Sequence, residues 1–326
     1  MKRPWALPLV PLYAAGAALR SLSLRLGIEK TRRLACPVIS IGNLSTGGTG
    51  KTPFLIALAN LLKRENIPID VLSRGYGRTS ANAVYVKLDG SADEFGDEPL
   101  LIAREAHVMV WVAPRRFEAG QLAEALGYHP LIHLLDDGFQ HRQLARDVDI
   151  VLINSEDLAD TLLPAGNLRE SLHALKRAHI FAVDLADEAA ASRLRALGLR
   201  QPIWRYFRTM QIPTISGPVV AFCGVARPAQ FFSGLEKSGL QVAVRHAFPD
   251  HHRFTSADIT TLRKLVQSTG AKALITTEKD QIRLSNLDLG VPVHTAGLVI
   301  SLEDEDTILH HLAARLAAHW PQFPLK

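Results

Sequence analysis

Residues 37–52, PVISIGNLSTGGTGKT, limit what this chain can fold into more than any other stretch. Val38, Ile39 and Ile41 belong to an apolar, β-branched run that reads as a buried strand. The chain then breaks into Ser45, Thr46, Gly47, Gly48, Thr49, Gly50, Lys51 and Thr52, and Pro53 opens a run, FLIALANLLKR, with helical periodicity. Strand, glycine-rich loop, Lys-Thr and helix in that order make the phosphate-binding-loop arrangement. Glycines permit the positive φ angles with which such a loop turns its N–H groups onto a polyphosphate. The helix that follows adds unpaired N–H groups and its positive dipole end. Lys51 is then placed for the β- and γ-phosphates of a nucleoside triphosphate, and the Thr52 hydroxyl for Mg2+. One position departs from the strict pattern, which has glycine where this chain has Ser45.

A chain of 326 residues, 47% hydrophobic and 21% charged, is globular and long enough for two domains. Cys36 and Cys223 stand far apart with no metal-ligand spacing around either. That suits a reducing cytosolic compartment, with both thiols read as buried structural residues. The net charge of +5 is unevenly placed: residues 1–33 hold seven cationic side chains against Glu29 alone, so the rest of the chain is slightly acidic. A basic coat of the kind that binds nucleic acid is therefore not expected.

The basic segment is also apolar. Residues 4–19 carry no charge, yet they fall short of the ~20 residues that span a bilayer. Leu12, Ala15, Leu19, Leu22 and Leu26 share one helical face, with Arg20, Ser21 and Arg25 off it and Trp5 and Tyr13 suited to the headgroup level. This reads as a helix lying in a membrane interface. A helix packed on its own domain and a cleaved signal segment are the alternatives.

Beyond the loop, short apolar strands alternate with helical runs. Strands are expected at residues 68–73, 83–88, 107–113, 131–135, 149–153 and 180–183, and a second α/β set begins at residue 219. The fold class is α/β: two α/β/α domains, the first a phosphate-loop type with a mostly parallel sheet, preceded by the interfacial helix. The expected division is 1–30 for the helix, 31–200 for the nucleotide domain, 201–217 for a linker with some extended structure, and 218–326 for a smaller C-terminal α/β domain.

A phosphate-binding loop needs a downstream strand ending in a carboxylate that orders Mg2+ or its waters. Residues 131–137, LIHLLDD, have that form, and adjacent side chains on a strand face opposite ways, so either Asp136 or Asp137 can face the metal. Asp97, after Gly96 and before a helix start, is a candidate base or orienting acceptor, or else an ordinary acidic helix start. His251 and His252 follow Asp250 and could relay a proton. Residues 278–280, Glu-Lys-Asp, could reach a phosphate. Arg74, Arg78, Arg115, Arg116, Arg142 and Arg169 are candidates for anionic groups.

The blocks SIGNLSTGGTGKTP (40–53), LSRGYGR (72–78), GDEP (96–99), LLDDGFQH (134–141), LLPAGNLRE (162–170), FCGVARP (222–228), PDHHRF (249–254) and TTEKD (276–280) together resemble the tetraacyldisaccharide 4'-kinases, the lipid A 4'-kinases of Gram-negative bacteria. The resemblance covers nearly the whole chain. It implies ATP and Mg2+, and transfer of the γ-phosphate to the 4'-hydroxyl of tetraacyldisaccharide 1-phosphate, giving lipid IVA in lipopolysaccharide synthesis. It implies a peripheral enzyme on the cytoplasmic face of the inner membrane, with no obligate protein partner. Carried over, Asp97 is the base, paired with His251 or alternatively His252. Residues 45–52 hold the nucleotide. Thr52, Asp136, Asp137, Gln140 and Glu170 organise Mg2+. Arg74, Arg169 and His252 meet the substrate. The rival class is a nucleotide-switch ATPase that binds partners in place of phosphorylating a small molecule; a membrane-surface scaffold is a third reading.

Overall fold

A computed structural model describes residues 3–127, 132–284 and 287–320. Lys2 and Leu131 lie outside them. Among the described residues twelve strands form one sheet: β1 (Val38–Asn43), β2 (Ile69–Ser73), β3 (Val84–Tyr85), β4 (Met109–Val112), β5 (Ile132–Asp136), β6 (Val148–Leu152), β7 (Ile180–Asp184), β8 (Ile203–Gln211), β9 (Val219–Cys223), β10 (Val242–Ala247), β11 (Ala273–Thr277) and β12 (Val293–Leu302). The order is β10-β9-β11-β12-β8-β7-β6-β1-β5-β2-β4-β3. β1, β2, β5 and β6 are buried on both faces, as parallel strands covered by helices must be.

Two parallel blocks meet at one antiparallel seam, where β12 pairs β8 with Ile300 opposite Arg208 and Leu302 opposite Tyr206. The stretch expected as a linker, 201–217, therefore contains the strand that joins the blocks. Its side chains alternate, Trp204 and Tyr206 buried and Arg205 and Phe207 outward, which is the period of a strand with two unlike faces. The helix Glu305–Ala317 also crosses back: Ile308, Leu312 and Leu316 lie in the core built by Ile39, Phe54 and Trp204. At 83–88 the expected strand is only the two-residue β3, antiparallel to β4.

The N-terminus forms a 3-10 turn (Pro4–Leu9) and then α1 (Val10–Arg25). The apolar stripe faces outward: Leu12 is 75% exposed and Leu19 69%. The opposite side is docked. Tyr13 donates its hydroxyl to the Arg169 carbonyl at 3.0 Å, and Arg142 donates to the Ser21 hydroxyl at 2.9 Å. By length and composition Pro4–Leu24 is also long and apolar enough to cross a membrane. Among the helices that flank the N-terminal block are α2 (Lys51–Arg64), α3 (Ala92–Phe95), α4 (Asp97–Ala106) and α5 (Arg116–Ala125).

Candidate active site

The loop between β1 and α2 has the shape its glycines predict. Gly47 and Gly50 take φ of 109° and 88°, where a Cβ is strained, and Gly50 sits directly ahead of α2. Ser45 is not among the residues with positive φ, so a side chain costs nothing there. Its buried hydroxyl accepts from Asn43 Nδ2 at 3.2 Å. The loop is pinned from both sides: Thr46 N–H donates to the Asn167 carbonyl at 2.8 Å, and Arg208 donates to the Thr49 carbonyl at 2.9 Å. Lys51 Nζ lies 3.5 Å from Asp137 Oδ1, and Thr52 is buried in the first turn of α2.

Asp136 and Asp137 differ sharply in environment. Asp136 closes β5 and accepts from Ser73 at 2.9 Å through Oδ2, while its buried Oδ1 has no hydrogen-bond partner. Burial, with Glu98 and Asp137 nearby, pushes its pKa up to about 7. Asp137 is in the left-handed region, φ 47°. Burial works against its charge, but Lys51 and Arg169 outweigh it and hold its pKa down to about 2. Arg169 donates to Asp137 at 2.7 Å and to Gln140 at 3.3 Å, and Gln140 donates to the Asn43 carbonyl at 2.8 Å. An orphaned carboxylate oxygen amid further carboxylates is the donor set a hard divalent cation takes, so Asp136, Asp137 and Thr52 fit Mg2+. Glu98, which sequence reasoning left out, lines the same space. Glu170 lines it too, but both its oxygens are engaged by Arg177, at 2.9 and 3.0 Å.

Asp97 is the first residue of α4, behind Gly96, whose φ is 91° and whose added Cβ would come within 3.1 Å of Gly75 Cα. That close approach seats the glycine-rich 74–78 loop on the start of α4. Asp97 Oδ2 lies 3.1 Å from His251 Nδ1 and accepts from Arg283 Nε at 2.7 Å and again from Arg283 Nη2. Burial pushes the Asp97 carboxyl up, but the His251 bond and the Arg283 charge hold it well below the usual carboxylate range. The Asp97 bond in turn raises His251 above the ordinary histidine value. His251 itself is left-handed, φ 56°, with its N–H on the Gly224 carbonyl at 3.1 Å. Such strain persists where surrounding contacts over-determine it. Of the pair, His251 faces the cleft: its side chain is 33% exposed and that of Asp97 5%.

His252, expected at the substrate, is turned elsewhere. It stacks on Phe248 at 4.7 Å and pairs with Asp258 at 3.0 Å, and it does not line the cleft. Arg74 lines the cleft and is exposed. Arg116 and Arg142 line it too, whereas Arg78 and Arg115 do not.

Arg283 was not among the sequence candidates. It is 6% exposed and ties Asp97 to Asp280 (2.9 Å) and to the Gly224 carbonyl (2.7 Å), joining residues of both blocks. Lys279 pairs with Glu98 in the same way. The two blocks thus share one cleft of about 1440 Å3, reaching from Tyr13 and Arg20 of α1 past the loop to His251 and Lys279.

A strand–loop–helix phosphate cradle, a Lys beside an ionised Asp and an Asp–His pair at the cleft wall define a phosphate-loop phosphotransferase. The family model for tetraacyldisaccharide-1-P 4'-kinase (LpxK) matches residues 3–317, and the chain belongs to that family. The tetraacyldisaccharide 4'-kinase of Koribacter versatilis is 44% identical over 317 residues, covering 94% of this chain and 97% of that one. That of Anaeromyxobacter dehalogenans strain 2CP-C is 40% identical over 304 residues, covering 83% and 79%. Among solved structures, LpxK from Aquifex aeolicus in complex with ATP has a TM-score of 0.74 at 32% identity, covering 95% of this chain and 98% of that one.

Proposed function

We propose that this cleft transfers the γ-phosphate of ATP to the 4'-hydroxyl of tetraacyldisaccharide 1-phosphate, with the Asp97–His251 pair receiving the hydroxyl proton. The observation that carries the reading is that pair, made across the cleft between the two blocks and beside the phosphate loop. Residues 45–52 cradle the triphosphate with backbone N–H groups, and Lys51 steadies the charge on the phosphoryl group that moves. Thr52, Asp136 and Asp137 would hold Mg2+, with Glu98, Gln140 and Glu170 lining the same space. Mg2+ supplies neutralisation of charge on the β- and γ-phosphates. Arg169 keeps Asp137 ionised and in place. Arg74, exposed in the cleft, is free to meet the anionic end of the substrate. His251 orients the attacking hydroxyl and Asp97 fixes the ring, so the two act as a unit with shared titration.

A tetraacylated substrate stays in the membrane, so the enzyme has to meet it there. The outward stripe on α1 supplies an apolar face, and the docked side of the same helix forms one wall of the cleft. A helix held by Tyr13 and Ser21 against the cleft loops lies along the protein surface, which favours peripheral attachment, at the cytoplasmic face where ATP is available.

The test is incubation with γ-labelled ATP and tetraacyldisaccharide 1-phosphate in mixed micelles. Label is expected in the lipid. Label found only as free phosphate would contradict the transfer and favour a nucleotide switch.

A further inference from the structure

We infer that Cys36, Glu124 and His133 form a second metal site, of the zinc class, at the N-terminal ends of the central strands β1 and β5, away from the kinase cleft. None of the three lines the cleft. Cys36 lies at the entry to β1, whose opposite end carries the phosphate loop. His133 is near the start of β5, in register with Val38, and Glu124 is in the last turn of α5.

His133 makes the argument. It is wholly buried, and its Nδ1 lies 2.6 Å from Asp70 Oδ1, which is wholly buried as well. The other ring nitrogen, Nε2, is buried with no hydrogen-bond partner. It faces Glu124 Oε1 at 3.5 Å, an ion-pair distance at the outer limit of a hydrogen bond, with the Cys36 thiol beside them. Two ligands on one tetrahedral ion with bonds of ~2.1 Å stand ~3.4 Å apart, so this spacing suits a shared metal. Cys36 Sγ completes the group, and the three donor atoms lie within 4.8 Å of one another. Bringing the sulfur to bonding distance takes a shift of roughly 1 Å.

A carboxylate on the far nitrogen of a ligating histidine fixes the ring and its tautomer, which is the part Asp70 plays. The Ala35 N–H bond to Glu124 Oε1, 2.8 Å, similarly fixes the third ligand. Thiolate, imidazole and carboxylate together select Zn2+ over Mg2+ or Ca2+. Cys36 is only partly buried, contrary to the expectation of an inert core thiol, so the site has an open side for entry and for a fourth ligand such as water. The bound ion would clip the incoming chain to β5 and α5.

The experiment uses the full chain stripped with a chelator and titrated with Co2+. One equivalent is expected to give a near-ultraviolet thiolate-to-cobalt charge-transfer band, which Zn2+ bleaches. Oxygen ligands in the kinase cleft give no such band. Cys36→Ser should abolish it, and Glu124→Gln should weaken Zn2+ binding about tenfold or more. Absence of the band, or its survival in Cys36→Ser, overturns the site. Unchanged Zn2+ affinity in Glu124→Gln overturns the three-ligand assignment.

Discussion

Asp97 has Arg283 and His251 as neighbours, and they set how it can work. With Arg283 and His251 on one oxygen, its carboxylate is a weak proton acceptor. Phosphoryl transfer tolerates this, because a loose transition state asks for little proton removal before the phosphoryl group has moved. The positive charge of Arg283 lowers the pKa of both Asp97 and His251. Arg283→Gln should therefore raise both and move the acid limb of the kcat/KM–pH profile to higher pH. A pH–rate profile checks this; an unmoved limb, or one moved to lower pH, would show that the pair does not titrate with catalysis.

At this scale the sequence was legible where residue type and spacing are both restrictive. Gly47, Gly50, Lys51 and Thr52 could be placed because few other arrangements need them. Glu98 stands next to Asp97 and reads as a second acidic helix start. Arg283 offers no signal beyond being three residues after Asp280 on a short helix, and its importance comes from a partner 186 positions away. Asp136 and Asp137 could be named as a pair, but their opposite pKa shifts depend on burial and on Arg169.

Among elements, α1 divides its two sides between two tasks. Leu12 and Leu19 touch solvent, while Tyr13 and Ser21 hold the helix to the cleft loops. The double substitution Leu12→Glu, Leu19→Glu should reduce sedimentation with anionic phospholipid vesicles several-fold and leave ATP binding unchanged, since neither side chain reaches the loop. Equal vesicle binding would remove the interfacial role. Periodicity showed this face because five apolar residues fall on it. β8 was harder to see, since Pro202 and Pro213 bracket it and its outward positions carry Arg205, Phe207 and Thr209. The alternation of Trp204 and Tyr206 was the available clue. Its ladder partner β12 lies far along the chain, and local pattern does not report that.

Over the whole molecule, the seam of β8 and β12 brings the two blocks together so that both line the one cleft and the proposed site draws on both. The phosphate loop, Asp97 and the Asp136–Asp137 pair come from the first block. His251, Lys279 and Arg283 come from the second. Arg208, on the seam strand itself, reaches the loop at Thr49. The central claim is that the cross-block pair Asp97–His251 serves the acceptor hydroxyl. It is tested most directly by the rate of label transfer from γ-labelled ATP to the disaccharide lipid in Asp97→Ala, with folding and ATP affinity confirmed. The account predicts a loss of about 10²–10⁴-fold in turnover with ATP binding intact. Near-normal turnover in that variant would contradict it.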